Sequence, residues 1–347
     1  MCNPLVSIVI PLFNVELYLH ECLNAIRSQT YKNFEVLLID DGSTDGSSDI
    51  CQKFIKKDFR FKYIFQRNQG VIAARKTGIS LATGEYITFI DADDKVVKNF
   101  LELLISPFLA ENIDIVVCGF YWWFPELKDD KREERASSPK KRLSSIQFAQ
   151  SVLGIGKEKG FTVTGGYLWN KMFRTEAVKK INMPEVLGAE DELLLFKLLP
   201  QVSNIYYVDR PLYFYRQRRT SLVQEASFPF HLVQSRKVIM NQSDEPFKAV
   251  ASLGFYRSVI YLIINILTGR EVEKKHIFST KKLSQEAFSR LRSPSLRHII
   301  SDEDKRYSFL LFYQHIPLIV LSFFIKFKIY HLTSFLVKVA KKIRDGI

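Results

Sequence analysis

The chain has 347 residues, of which 47% are hydrophobic, and its formal net charge is +13. This length supports one large core with an appendage, and the charge indicates an acidic partner such as a membrane, a phosphorylated substrate or nucleic acid. The four cysteines are far apart and form no CxxC pair, which excludes a disulfide framework or a zinc site and indicates reduced thiols in the cytoplasm. No basic region precedes the apolar stretch that Pro11 interrupts, so we expect no secretory signal.

Short apolar strands alternate with helical patterns through the first 120 residues. In chain order the pattern predicts a strand at 6–10, a helix at 16–29, a strand at 34–40, a helix running through Phe54, a strand at 61–65, a helix at 71–81 and strands at 86–90 and 114–120. Ser43, Thr44 or Asp45 is expected to cap the second helix. This alternation predicts an α/β fold with a mostly parallel sheet flanked by helices.

The pattern changes after the fifth strand. Residues 126–142 are polar and charged, which is typical of a surface loop. Further on, IYYVDRPLYFYRQR (205–218) predicts two short strands joined at residues 209–211, and from about Phe247 the pattern is helical to the end. We therefore expect a C-terminal helical region after the α/β part.

Carboxylates follow two of the predicted strands, at Asp40-Asp41 and at Asp91-x-Asp93-Asp94. Ligands of open parallel sheets bind outside the carboxyl ends of the strands, and residues i and i+2 of an extended segment point the same way. Because Mn²⁺ and Mg²⁺ prefer oxygen ligands and often complete their shell with substrate phosphates, the pattern predicts a metal that bridges the protein to a diphosphate. The alternative is a solvated acidic turn before the next helix.

Five segments resemble, in order and spacing, glycosyltransferase family 2. They are VSIVIPLFN (6–14), FEVLLIDDGSTDGS (34–47), NQGVIAARKTGISLATGEYITFIDADD (68–94), LWNKMFR (168–174) and GAEDELLLF (188–196). The resemblance implies an inverting enzyme of GT-A (Rossmann-like) fold that uses a nucleotide sugar. It implies a catalytic domain at 1–220, with a nucleotide-sugar half at about 1–120 and an acceptor half at about 142–220. The helical C-terminal region at 221–347 then carries a basic amphipathic tail.

The resemblance also implies roles for residues of the nucleotide half. Pro11 and Phe13 match positions that line the nucleotide base pocket, and Asp41 matches the carboxylate that accepts a hydrogen bond from the uracil imide. Arg75 matches a basic position near the nucleotide, and the alternative is an arginine on the surface of a helix.

Further implied roles concern the metal, the base and the acceptor. Asp91 resembles the ribose-side and metal-side residue of a DxD motif, and Asp93 resembles the direct ligand of Mn²⁺ or Mg²⁺. Asp191 matches the general base, with Glu190 beside it, and the alternative is helix capping. Trp169 is a candidate wall of the acceptor site, with Glu190 as a further acceptor contact, although a large aromatic side chain such as Trp169 is more often part of a core.

The C-terminal residues suggest contact with a membrane. Residues 307–325 contain no Asp, Glu, Lys or Arg, and the last 22 residues add six basic side chains. Gln314, His315 and Pro317 lie at the centre of the apolar stretch, which favours a tail lying on an anionic membrane over a membrane span. The alternative is a helical hairpin packed on the catalytic domain or on another subunit of a homo-oligomer.

The sequence thus predicts an enzyme that moves a sugar from a UDP-sugar to a hydroxyl of a glycan or lipid-linked oligosaccharide. We expect it in bacterial surface polysaccharide synthesis, in the cytoplasm and peripheral at the inner face of the cell membrane. Two alternatives are transfer to a polyprenyl phosphate and a catalytically silent subunit that binds glycan or nucleotide. We do not expect nucleic-acid binding, because the sequence has no zinc finger, RNP-type motif or compact recognition helix.

Overall fold

The computed structural model describes residues 3–125, 131–135, 142–155, 165–182, 188–218, 228–267, 283 and 286–287. The chain divides into two compact units. The first comprises Met1–Glu185 and Glu190–Arg219, and the second comprises Val186–Ala189 and Thr220–Ile347.

The first unit alternates strands and helices along its first 110 residues, as the sequence predicts. Its strands are β1 Val6–Leu12, β2 Phe34–Asp40, β3 Phe61–Phe65, β4 Tyr86–Phe89, β5 Lys95–Val96, β6 Ile115–Phe124, β7 Lys131–Arg135, β8 Arg142–Leu143, β9 Lys171–Arg174 and β10 Ile205–Arg216. Its helices are α1 Glu16–Arg27, α2 Ser47–Ile55, α3 Val71–Leu81, α4 Phe100–Ala110, α5 Ser145–Val152, α6 Thr175–Lys179 and α7 Glu190–Leu198, followed by a short 3-10 helix at Leu199–Gln201.

The described strands form one mixed sheet in the order β3-β2-β1-β4-β9-β6-β10-β5, with β7 beside β6 and β8 beside β10. Strand β1 pairs in parallel with both β2 and β4, so the chain leaves β1 in one direction towards β3 and returns on its other side as β4. The carboxyl ends of β1, β2 and β4 therefore flank a switch point in strand order, where open sheets bind ligands.

Strand β9 runs antiparallel between β4 and β6. Its first residue, Lys171, pairs with Val117 of β6, and Met172 pairs with Thr88 of β4. The start of β9 therefore lies at the edge of the sheet where β4 ends, whereas β6 continues from Val117 to Phe124.

Helices cover both faces of the sheet. Side chains of β1 alternate between the two faces, and Val6, Ile8 and Ile10 join the buried cluster that α1, α2 and α4 complete. Val9 points to the opposite face, where α3 packs so closely that a Cβ on Gly78 would lie 2.3 Å from Cγ1 of Val9. Glycine at this position lets α3 lie directly on β1.

Two sequence predictions about the sheet were wrong. Strand β7 lies inside the predicted surface loop at 126–142 and pairs with β6 through backbone hydrogen bonds, which do not depend on side-chain polarity. The predicted break at residues 209–211 is instead an irregularity within one strand, β10, whose pairing with β6 shifts register between Val208 and Pro211 and again before Tyr213.

The second unit contains α8 Phe228–Gln242 and α9 Phe247–Leu267, which pack against each other. Lys237 of α8 forms an ion pair with Glu286 at 2.5 Å. Among the residues that the structure describes, no helix has both the length and the apolar character that crossing a bilayer requires. The tail predicted at 307–347 lies outside the described residues.

Candidate active site at the carboxyl edge of the sheet

The acidic segment after β4 forms a turn. The backbone N–H of Asp94 donates to the carbonyl of Asp91 at 3.1 Å, so the extended geometry expected for Asp91 and Asp93 is wrong. Asp94 is buried and accepts hydrogen bonds from the hydroxyl of Tyr213 at 2.8 Å and from the backbone N–H of Arg216 at 2.7 Å. These contacts give Asp94 a structural role in holding the turn against β10.

The other two carboxylates of this turn each face an arginine. Oδ1 of Asp91 lies 3.4 Å from Nη2 of Arg75, and Oδ2 of Asp93 lies 2.5 Å from Nη2 of Arg218. Burial raises the pKa of Asp91 to about 6 against the opposing effect of Arg75, and the negative charge of Asp93 adds to the rise. The two carboxylates are therefore close enough to repel each other.

This pair of carboxylates fits a divalent cation. Mg²⁺ and Mn²⁺ take oxygen ligands, and sites of this kind often use one or two carboxylates with substrate phosphates. Within the described residues no group of three or more His, Cys, Asp or Glu side chains is arranged to hold a metal. A cation bound by Asp91 and Asp93 would thus need further oxygen ligands, such as those of a bound diphosphate.

Arg75 lies on α3 with its side chain 6% exposed and contacts three carboxylates. Its Nη1 donates to Asp191 at 2.5 Å and to Glu190 at 3.2 Å, and its Nη2 contacts Asp91. Burial alone would lower the pKa of Arg75, but the charges of Asp191, Asp91 and Glu190 outweigh that effect and raise it. The arginine stays charged and joins the turn after β4 to the first residues of α7.

Asp191 lies in the first turn of α7, with a side chain that is 14% exposed. Its Oδ1 accepts from Arg75, and its Oδ2 accepts from the backbone N–H of Leu168 at 3.2 Å. Burial raises the pKa of Asp191 to about 7, with Glu190 and Asp91 adding to the rise and Arg75 opposing it. A carboxylate with such a pKa is suited to accept a proton near neutral pH.

Asp41, at the end of β2, is buried and holds the segment before α3. Its Oδ1 accepts from Nε2 of Gln66 at 2.7 Å and from the backbone N–H of Gln69 at 3.0 Å, and its Oδ2 accepts from the backbone N–H of Gly70 at 2.7 Å. A carboxylate has about four acceptor positions, so the predicted contact with a uracil imide would use the remaining one. That contact stays a prediction.

Pro11 and Phe13 lie at the end of β1, beside the strand that leads to Asp41. Pro11 pairs with Ile39 in the sheet, and Phe13 follows the strand with 45% of its surface exposed. An exposed ring at this edge is accessible to a planar ligand, and the base-pocket role of both residues stays a prediction.

Trp169 is 2% exposed, which favours the core alternative for its ring. It stacks on Tyr167 at 4.6 Å, on Tyr213 at 4.3 Å and on Tyr215 at 5.3 Å between ring centroids. Tyr167 and Tyr215 are partly exposed, so a ligand could reach these two rings. The sequence analysis gave neither ring a role, although Tyr215 in RPLYFYR (210–216) and Tyr167, two residues before Trp169, are plain in the sequence.

Comparison with known proteins gives the family. The model of "Glycosyl transferase family 2" matches residues 7–181, which is half of the chain. The chain belongs to glycosyltransferase family 2. Among the relatives, EpsH of Bacillus subtilis is 33% identical over 65% of this chain and 64% of its own length. The match therefore spans less than two thirds of that relative.

Two solved glycosyltransferase-like structures match the fold of this chain. S. aureus TarS 1–349 in complex with UDP-GlcNAc superposes with a TM-score of 0.67 at 17% identity, covering 98% of this chain and 92% of the TarS 1–349 chain. The mannosyltransferase PcManGT from Pyrobaculum calidifontis, in complex with GDP-Man and Mn²⁺, gives a TM-score of 0.54 at 16% identity, over 93% of this chain and 87% of its own. The predicted GT-A fold is confirmed.

Proposed function

We propose that this chain is an inverting, metal-dependent glycosyltransferase that moves a sugar from a UDP-sugar to a hydroxyl of a glycan or lipid-linked oligosaccharide. The observation that carries the proposal is the cluster around Arg75. The guanidinium of this arginine contacts both Asp191 of α7 and Asp91, which follows β4. The candidate base thus lies beside the strand end that the family pattern assigns to the donor.

The proposed reaction is a single displacement. The acceptor oxygen forms a bond to the anomeric carbon while the bond from that carbon to the diphosphate oxygen breaks, which inverts the anomeric centre. Asp191 takes the proton of the acceptor hydroxyl late in this step. Its pKa of about 7 supports this role, because such a carboxylate is largely ionised just above neutrality and is still basic enough to accept a proton.

Asp91 and Asp93 are the proposed holders of Mn²⁺ or Mg²⁺. Such a cation offsets the negative charge that develops on the leaving diphosphate. The oxygen donor set of the turn supports this assignment, as does the Mn²⁺ complex of PcManGT, which shares the fold.

Pro11, Phe13 and Asp41 are the proposed contacts of the uracil base. They lie at the ends of two adjacent strands, β1 and β2, at the switch point of the sheet. UDP as the nucleotide is supported by TarS, which has the same fold and was solved with UDP-GlcNAc.

The direct test is release of UDP from a panel of UDP-sugars by the full chain. We expect turnover of one or two sugars with Mn²⁺, and loss of turnover with EDTA and in Asp93→Asn. Glu176→Gln is the matched control, because Glu176 is an exposed acidic residue whose salt-bridge partner, Lys180, is also exposed. Absence of turnover with every donor, together with absence of metal-dependent UDP binding in calorimetry, would refute the proposal.

The same assay separates the alternatives. A polyprenyl phosphate acceptor has no hydroxyl proton to remove, so Asp191→Asn would then keep its activity. If turnover persists in the presence of EDTA and in Asp93→Asn, the protein is a glycosyltransferase that does not need the proposed metal.

A further inference from the structure

A fully buried lysine lies next to the proposed base. Lys171, the first residue of β9, is 0% exposed, and burying an ammonium group is costly unless its donors are all satisfied. Its Nζ donates to the carbonyl of Tyr167 at 2.6 Å, to the carbonyl of Gly165 at 3.0 Å and to Oδ1 of Asn170 at 2.8 Å. Burial lowers the pKa of Lys171 to about 7, against the opposing effect of the negative charge of Asp191, and the three acceptors match the three donors of the ammonium form.

These three acceptors belong to one short segment, residues 165–170, which leads into β9. Lys171 itself is fixed in the centre of the sheet, since its backbone pairs with Val117 and its carbonyl accepts from the hydroxyl of Thr88 at 2.8 Å. The ammonium group therefore ties the preceding segment to two strands that are themselves buried.

The same segment contacts Asp191 and its helix. The backbone N–H of Leu168 donates to Oδ2 of Asp191 at 3.2 Å. Gly166 lies so close to α7 that a Cβ there would be 2.3 Å from Cγ of Glu192, and Gly165 has φ +67°, a conformation that glycine adopts without strain. The two glycines let the segment lie against the first turn of α7.

We propose that Lys171 is a positioning residue for Asp191, acting through the segment 165–168. Its ammonium group fixes the carbonyls of Gly165 and Tyr167, and the segment so held presents the N–H of Leu168 to one carboxylate oxygen while Arg75 binds the other. Asp191 is thus held on two sides. This inference rests on the proposed function, in which Asp191 is the base.

The first test removes the charge of Lys171 and keeps its length. In Lys171→Met we expect faster amide hydrogen exchange in peptides covering 165–170, because the carbonyls of this segment lose their donor. Lys179→Met is the matched control: Lys179 also donates to a backbone carbonyl, that of Ala82 at 2.7 Å, but on α6. Unchanged exchange at 165–170 in Lys171→Met would overturn the inference.

The second test asks whether Lys171 acts through Asp191. With the donor that gives turnover, Lys171→Met should lower kcat on the order of 10- to 100-fold, since small misplacements of reacting groups have effects of that size. UDP affinity should be unchanged. In the Asp191→Asn background the same substitution should lower kcat little further, because no base remains to be positioned.

The outcomes distinguish the inference from the function on which it rests. If Asp191→Asn is itself fully active, the proposed base is wrong and the inference fails with it. If Asp191→Asn is impaired and the defects of Lys171→Met and Asp191→Asn multiply, the base stands and the positioning role alone is overturned.

Gly166→Ala provides a second route if Lys171→Met does not fold. It leaves the lysine in place, but its methyl group meets Glu192 and pushes the segment away from α7. As for Lys171→Met, we expect kcat to fall and UDP affinity to stay unchanged. In the Asp191→Asn background, Gly166→Ala should lower kcat little further. A Gly166→Ala protein with full kcat, or with a defect that multiplies with that of Asp191→Asn, would overturn the inference.

Discussion

The guanidinium of Arg75 donates to the carboxylate of Asp191 at 2.5 Å, although 116 positions separate the two residues in the chain. The same guanidinium contacts Glu190 and Asp91, so one cation from α3 holds three anions from two distant parts of the sequence. The candidate site therefore depends on the packing of α3 against the sheet, because α3 carries Arg75.

Arg75→Met should destabilise the fold and abolish transfer. Removal of one partner from a buried ionic cluster leaves uncompensated charge and costs about 3 kcal/mol or more, which urea unfolding would measure as a lower midpoint. Arg27→Met is the control, because Arg27 is exposed on α1, where its guanidinium donates to Asn24 and lies over the ring of Phe54. Wild-type stability in Arg75→Met would show that the three carboxylates do not need this cation.

Activity should fall as the pH drops through about 7. A general base must be ionised, and burial has raised the pKa of Asp191 to about 7. We expect kcat to fall with decreasing pH below this value and to level off above it. The residual kcat of Asp191→Asn should not fall in this way at low pH. If it falls as in the wild type, the titrating group is not Asp191.

Gly78→Ala should destabilise the protein and reduce activity together. The added methyl group would lie 2.3 Å from Val9 and force α3, which carries Arg75, away from β1. Overpacking of this kind costs about 1–3 kcal/mol. Val9→Ala makes room for the methyl, so the double variant should be more stable and more active than the sum of the single effects predicts. Strict additivity in unfolding experiments would contradict the packing explanation.

Glu35 should make the fold sensitive to acid. Against the effect of burial, hydrogen bonds from Lys62, Ser7 and Thr83 lower the pKa of Glu35 from 4.5 to about 2. Its stabilising contribution is therefore complete above pH 4.5 and is lost as the pH falls from 4.5 towards 2, a change on the order of 3 kcal/mol. Glu35→Gln should flatten the dependence of unfolding free energy on pH in this window. Glu176→Gln should have a smaller effect, because the pKa of Glu176 is lowered only by an exposed ion pair with Lys180.

The basic tail should bind anionic vesicles. Residues 307–325 carry no charged side chain of the Asp, Glu, Lys or Arg type, and six basic residues follow. We expect the full chain to co-sediment with phosphatidylglycerol-containing vesicles and not with phosphatidylcholine vesicles, and binding should weaken with added salt. Binding to neither vesicle type would favour packing of the tail against protein, and equal binding to both would contradict the role given to its basic charge.

The first 110 residues of the fold were predictable because their strands are continuous apolar runs. Phe34–Asp40, for example, is buried at every position, and α3 begins and ends at the residues that the pattern indicates. Strand β7 could not be found this way, since Lys131–Arg135 consists only of charged residues and owes its place to pairing with β6. Apolar periodicity carries no information about such a strand.

The site was predictable in its residue types and less so in its contacts. Family motifs pointed to Asp91, Asp93 and Asp191, but nothing local indicates that Arg75 connects Asp91 with Asp191. The burial of Lys171 was not predicted for a different reason, because lysine side chains are mostly exposed in folded proteins. Its burial follows only from the position of β9 between β4 and β6.

The antiparallel direction of β9 also bears on how this fold can diversify. Because β9 starts at the edge where β4 ends, a chain segment that enters the sheet and one that leaves it meet at one rim. Under the proposed function, we expect insertions or replacements at that rim to alter which acceptor is recognised while the buried strands keep their register. Engineering of specificity should therefore begin with the segments that join the strands and leave the strands unchanged.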